Sequence, residues 1–228
     1  MPALASASGP TFPRHSPPST ARLSPKCGYR LAYNRGMPAP SSMPAPSSMI
    51  SPESTALLVI DLQQGLVPAI DGLDEVLQNT KQLLRLARVL DLKTLVTTQY
   101  SKGLGETVPE IAELAGPLSI DKVCFGCLGD DTFRTTLSET LRPGGALLLA
   151  GIEAHICVMQ TALGALDGGY QVHVAADAVG SRTGANKAIG IERMRGAGAV
   201  ISSTEMAIYE LLGSSRRAEF KQMLPYLK

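Results

Sequence analysis

The sequence predicts an α/β domain, a three-layer α/β/α sandwich built on a doubly wound, mostly parallel sheet of about six strands. Three observations point there. From residue 54 onward, short apolar runs alternate with longer segments of helical period. The short runs are apolar throughout, as in strands covered by helices on both faces. Several of them stop at a charged residue or a glycine, the chemistry expected where a parallel sheet presents its carboxyl edge to a ligand.

Each element follows in order. Ala56–Asp61 (ALLVID) is the first buried strand, and Leu73–Leu90, with apolar residues at 73, 76, 77, 83, 84, 86, 87 and 90, carries the stripe of an amphipathic helix. Thr94–Thr98 is the next strand. A helix near Val108–Leu114 places Pro109 in its first turn, where a missing N–H leaves no bond unmade. A weaker strand lies near Leu118–Val123, a helix near Asp131–Leu141 and a strong strand at Ala146–Ala150. A helix then runs through Cys157 to about Asp167, where Gly168 and Gly169 stop it. Strand Gln171–Ala176, a helix near Asn186–Arg195, strand Ala199–Ser202 and helices after Thr204 and after Ser214 complete the pattern.

Residues 1–52 read as a disordered Pro/Ser/Ala-rich extension ahead of a domain at 53–228. They hold 11 of the 16 prolines, the five basic residues Arg14, Arg22, Lys26, Arg30 and Arg35, and no acidic residue. A tandem, Met37–Ser42 followed by Met43–Ser48, makes the segment low in complexity, with too little apolar content to pack. Met37, Met43 and Met49 are alternative starts. A transit peptide is the other reading, although this proline density works against the amphipathic helix that one needs. Removing the five positive charges from the total of +1 leaves −4 on the body, so nothing asks for a nucleic-acid partner. The absence of any 18-residue apolar stretch predicts no membrane span. The four cysteines form no disulfide scaffold and fit a reducing, cytoplasmic compartment, or an organelle if the extension acts as a transit peptide.

Function is sought at the strand ends. In Leu147–Val158 (LLLAGIEAHICV) an apolar run breaks at Gly151 and a helical pattern takes over, which sets Cys157 near a helix N-terminus. There, orphan N–H groups and the positive dipole end lower a thiol's pKa and can hold an oxyanion. Two readings stand for this residue alone, a nucleophile or a small hydrophobe in the apolar stripe. Asp61 and Lys122 also fall at strand ends. Singly each has a bland role, as a turn cap or a solvated charge; together a thiol, a carboxylate and a cation on one rim point to catalysis.

These residues carry a family resemblance. Val59-Ile60-Asp61-Leu62-Gln63, Lys122 with Phe125 close after it, Gly151–Val158 followed by Thr161-Ala162 and Gly169-Tyr170, and Val174–Arg182 (VAADAVGSR) resemble the isochorismatase-like cysteine hydrolase superfamily over residues 54 to 225. The likeness is nearest to isochorismatase-domain-containing proteins of unassigned substrate. It implies a triad of Asp61, Lys122 and Cys157, an oxyanion hole from the backbone N–H groups of Glu153 and Cys157, and a cis peptide between Ile152 and Glu153. The reaction implied is hydrolysis of a small-molecule amide through a covalent Cys157 adduct. Nicotinamidase-like members bind a metal through histidines in the loop after the second strand; here that loop, Gln99–Gly105 (QYSKGLG), has none, so metal-independent chemistry without a cofactor is expected. Members that cleave a vinyl ether usually lack a cysteine at this place, so Cys157 argues against that reaction. Members often form homo-oligomers, and one is expected here. Leu66, Tyr100 and Phe125 are pocket candidates on position alone.

Rival readings use other residues. Cys124-Phe125-Gly126-Cys127 is a CxxC, as in thiol–disulfide oxidoreductases, or half of a zinc site for which no second pair of ligands is evident. A catalytically silent oligomeric member is a further alternative. His155, two residues before Cys157, does not share its helix face, and His173 alternates with valines as a structural strand residue would.

Overall fold

The computed structural model describes residues 49–116 and 119–227. The extension expected over 1–52 lies outside the described residues except for its last four. Of these, Ile50 is buried and its N–H donates to Glu210 Oε2 at 3.3 Å, so the packed body already includes it.

Six parallel strands form one sheet: β1 Thr55–Ile60, β2 Lys93–Gln99, β3 Ile120–Lys122, β4 Ala146–Ile152, β5 Gln171–Gly180 and β6 Val200–Ser202, in the order β3-β2-β1-β4-β5-β6. The helices are α1 Leu73–Leu90, α2 Ser101–Leu104, α3 Pro109–Ala115, α4 Asp131–Thr140, α5 Met159–Asp167, α6 Gly184–Gly196, α7 Thr204–Leu212 and α8 Ala218–Met223. No helix among the described residues is long and apolar enough to cross a membrane.

The pleat of the buried strands feeds two cores. Leu57 and Val59 of β1 and Leu148 and Ala150 of β4 pack with α1, α3, α7 and α8 on one face. Ala56, Leu58 and Ile60 of β1 and Leu147 and Leu149 of β4 pack with α4, α5 and α6 on the other. Burying one such Leu or Phe side chain is worth about 1.5–3 kcal/mol, which explains why these runs lack polar residues. Helix starts are fixed by side-chain caps: Asp130 accepts from Phe133 N–H, Thr183 from Asn186 N–H and Ser203 from Met206 N–H.

The strand order has one functional consequence. The chain winds outward from β1 to β3, returns to β4 beside β1, and then winds outward the other way. Loops leaving β1 and β4 therefore diverge and open a crevice at the carboxyl edge, the place where ligands bind in doubly wound sheets. Ile60 pairs with Gly151 at this point. The strands there meet closely enough that a Cβ on Gly151, whose φ is +115°, would run into the Ile60 carbonyl and lie 2.6 Å from the Ile60 nitrogen.

Candidate active site

Asp61 is the first residue past β1, at a φ of +52°. Its N–H donates to the Thr97 carbonyl at 3.1 Å. Thr97 Oγ1 donates to Oδ1 at 2.7 Å, and Lys122 Nζ donates to Oδ2 at 2.7 Å. Lys122 closes β3, two strands away. It reaches Asp61 across β2, where the register pairs it with Gln99, whose Oε1 accepts from Nζ at 2.9 Å. Neither the Asp61 nor the Lys122 side chain is exposed. Burial works to lower the Lys122 pKa, but the charge of Asp61, with a smaller contribution from the neighbouring Cys127 and Cys157, outweighs it and raises it, which favours a buried ammonium.

Cys157 enters from the other side of the switch point. The Ile152–Glu153 peptide is cis. After it the chain winds a π-helical turn, Ala154–Val158, in which the Glu153 carbonyl accepts from Ile156 N–H at 3.0 Å and from Val158 N–H at 3.2 Å. Cys157 thus sits in a wide turn leading into α5, not at the first turn of a regular α-helix as its sequence suggests. Its thiol is buried, close enough to Asp61 and Lys122 to feel both charges. Burial first, and then the Asp61 charge, push the thiol pKa far up; Lys122 pulls it down by less. The depressed pKa expected for a helix N-terminus is therefore corrected. The raised pKa favours a neutral Cys157 thiol beside the Asp61–Lys122 ion pair.

The turn carrying Cys157 is stitched to the loop after β5. Arg182 donates from its backbone N–H and from Nε to Glu153 Oε2 at 3.1 and 3.0 Å, and from Nη2 to Oε1 at 2.6 Å. This fork holds the buried Glu153 carboxyl well below the usual carboxylate range. His155 Nδ1 lies 3.0 Å from Ser181 Oγ, so His155 turns away from the thiol as its spacing predicts. His173 is buried in β5, and neither ring nitrogen has a hydrogen-bond partner among the described residues.

The CxxC does not have the geometry of a redox motif. Cys127 begins a 3₁₀ turn, Cys127–Gly129, and the next helix starts only at Asp131. Its N–H donates to Thr161 Oγ1 at 3.0 Å, and burial pushes the thiol up to about 11 despite the pull of Lys122, the reverse of thiol activation. Of the pocket candidates, Tyr100 and Phe125 are 53% and 56% exposed, and Tyr100 N–H donates to the Lys122 carbonyl at 2.9 Å, which sets Tyr100 on the rim beside the cluster. Leu66 instead packs against the α1 core. Among the described residues, no three His, Cys, Asp or Glu side chains are grouped to hold a metal ion.

Thr97, Gln99, Gln63, Arg182 and Ser181 were not named as site residues from sequence, although Gln63, Ser181 and Arg182 stand within the quoted motifs. For Thr97 and Gln99 the signal is weak, two polar residues spaced by two at the end of β2. Arg182 finds Glu153 only through the fold.

Fold and site first define a class: a doubly wound α/β protein whose switch-point crevice gathers a thiol, a carboxylate and an ammonium. The chain belongs to the isochorismatase family, whose isochorismatase domain matches residues 55–206. It is 37% identical over 196 residues to a secreted isochorismatase effector, Isc1, of Phytophthora sojae, across 84% of this chain and 93% of that one. The structure of a MAR1 ribonuclease from Caenorhabditis elegans is similar, with a TM-score of 0.72 and 35% identity over 78% of this chain and 92% of the other. YcaC of Escherichia coli, an octameric hydrolase of unknown specificity, has a TM-score of 0.74 and 25% identity over 80% of this chain and 92% of its own. These relatives place the chain among the hydrolases of the family.

Proposed function

We propose that this protein hydrolyses the C–N bond of a small-molecule amide through a covalent Cys157 intermediate, with Asp61 and Lys122 completing the triad. The observation that carries this reading is one buried carboxylate, Asp61, that accepts from the Lys122 ammonium at 2.7 Å with the buried Cys157 thiol within its electrostatic reach. As Cys157 Sγ attacks the carbonyl carbon, its proton passes to Asp61. The negative charge moves to the carbonyl oxygen, where the backbone N–H groups of Glu153 and Cys157 receive it; one such donor is typically worth 10²–10³ in rate. The C–N bond breaks as Asp61 returns the proton to the leaving nitrogen, giving a thioester and a free amine. Asp61 then takes a proton from the water that cleaves the thioester, and the thiol is restored with release of the acid. Lys122 keeps a positive charge opposite whichever neighbour is negative at each step.

The enclosed thiol and the aromatic rim of Tyr100 and Phe125 suit a small substrate, and no metal is needed for the steps above. A homo-oligomer is part of the same proposal, supported by exposed Ile189, Met206 and Tyr209 and by the octameric YcaC.

The test is a library of amides and esters, with RNA as a further arm, incubated with wild type and Cys157→Ala and read by mass spectrometry. Amide turnover that vanishes in the variant, with an acyl adduct trapped on Cys157, is the expected result. Turnover untouched by the substitution, or RNA cleavage alone, would overturn the reading.

A further inference from the structure

We propose that Gln99 is a positioning residue for Lys122: its side-chain amide gives the ammonium a neutral second acceptor and aims its remaining N–H toward the charge that develops at Cys157. The inference deepens the reading of Cys157 as nucleophile and rests on it.

Gln99 is fixed from both ends. Its Nε2 donates to the Val123 carbonyl at 3.0 Å, which leaves Oε1 facing Lys122 Nζ at 2.9 Å. The opposite orientation would set an NH₂ against an ammonium and a carbonyl oxygen against another, so the hydrogen-bond network selects this one. The Gln99 backbone is clamped in turn by Gln63, a fully buried side chain. Gln63 Oε1 accepts from Gln99 N–H at 2.7 Å, and its Nε2 donates to the carbonyls of Gln99 and Gly105 at 3.1 and 2.7 Å. Four hydrogen bonds thus serve to place one acceptor.

Neutrality is the point of that acceptor. The ionisable groups that face Lys122 are Asp61 from the end of β1, Cys127 from the turn before α4 and Cys157 from the π-turn. Asp61 and Lys122 cancel, so when the thiol proton moves to Asp61 the site holds one thiolate and one ammonium. A carboxylate at position 99 would leave that state with a surplus negative charge, in a place where burial makes charge costly. A hydrocarbon there would leave a buried ammonium with Asp61 as its single acceptor. An ammonium has three N–H donors, and Lys122 uses two, on Asp61 and Gln99. Both bonds constrain where the third points.

The full-length protein is tested by iodoacetamide labelling of Cys157, located by peptide mass spectrometry, for wild type, Gln99→Met and Gln99→Glu from about pH 6 to 10. Gln99→Met is expected to slow labelling at least tenfold, so that a fixed rate requires about one pH unit more, and Gln99→Glu to slow it further. A purely structural Gln99 would lower the melting temperature without moving the pH requirement, and an unmoved requirement in both variants overturns the proposal. If Gln99→Met does not fold, Gln63→Met, which loosens the clamp, is expected to shift the requirement the same way by less, and no shift there overturns it equally. Wild-type Cys157 that takes no label at any pH would defeat the nucleophile reading itself, an outcome visible without any variant.

Discussion

Lys122 Nζ lies 2.7 Å from Asp61 Oδ2, joining the end of β3 to the end of β1 across an intervening strand, and neither side chain is exposed. Such a pair is a weak source of net stability, because desolvation cancels most of the attraction, yet breaking it strands a buried charge. Lys122→Met is therefore expected to cost roughly 3–5 kcal/mol in urea denaturation. The double variant Asp61→Asn with Lys122→Met should be less destabilised than the sum of its parts, since it leaves no orphan ion. Lys122→Met, Asp61→Asn and the double variant should all lack turnover. A double variant that is simply additive would show that the two groups do not act as a pair.

The alkaline limb of stability reports on the same cluster. Cys127, Cys157 and Lys122 all have raised pKa values in the fold. Each then contributes stability that is complete below its unfolded value, about 8.5 for a thiol and 10.4 for lysine, and that is lost as pH rises toward the folded value. Stability should fall above about pH 8.5, first through the thiols, with a slope of roughly 1.4 kcal/mol per pH unit for each thiol. Cys127→Ala and Cys157→Ala should each remove one such increment from the slope, whatever they do to the midpoint at neutral pH. Chemical denaturation at several alkaline pH values measures it, and an unchanged slope in both variants would show that the thiols are not shielded in the native state.

Two glycines set the closeness of the site's walls. A methyl on Gly151 would meet the backbone of Ile60 on the neighbouring strand, and its φ of +115° disfavours any side chain. Gly151→Ala should fail to fold or accumulate as aggregate. Gly190 of α6 is a milder case: its added Cβ would lie 2.8 Å from the Ala154 carbonyl oxygen and from His155 Cα in the π-turn. Gly190→Ala should keep the fold but displace the turn, slowing Cys157 labelling about tenfold or more with a smaller loss of melting temperature. Equal labelling rates in Gly190→Ala and wild type would mean that the turn's position does not govern the thiol.

The architecture was legible because each strand had to be apolar on both faces and each helix on one. Leu73–Leu90 was read to the residue as α1. Strand β5 was read too short, since Asp177 interrupts its apolar run; in the fold its Oδ1 accepts from Thr204 N–H and Oγ1 at 2.7 and 3.0 Å at the start of α7, so a polar residue is satisfied within a strand. Helix α2 has four residues, too few to show a period. Within the site, Asp61 and Lys122 stood out as charged groups at strand ends and Cys157 as a thiol where a broken apolar run passes into a helical pattern. Thr97 and Gln99 did not, because neutral polar residues at a strand end look like the start of a loop. The wide turn at Cys157 was equally hidden, as a π-turn and an α-turn share one apolar stripe.

Arg182 is the remaining contact that sequence order could not supply, and its effect separates positioning from charge. Its fork holds Glu153, whose backbone N–H is a proposed oxyanion donor, while the Arg182 side chain itself is 58% exposed. Arg182→Ala should leave the buried Glu153 carboxylate without its partner close to the place where negative charge develops, lowering turnover about ten- to a hundredfold. If the damage is the unpaired charge, adding Glu153→Gln should recover part of the rate; if it is lost anchoring, the double variant should stay as slow as the single. The linkage sign gives an independent check. The Glu153 pKa is depressed, so its contribution to stability is present above about pH 4.3 and is lost as pH falls through the lower folded value. Acid denaturation of Arg182→Ala should therefore begin at higher pH than that of wild type, and Glu153→Gln should abolish the difference. Coincident acid transitions in wild type and Arg182→Ala would show that the fork does not hold the carboxylate in solution.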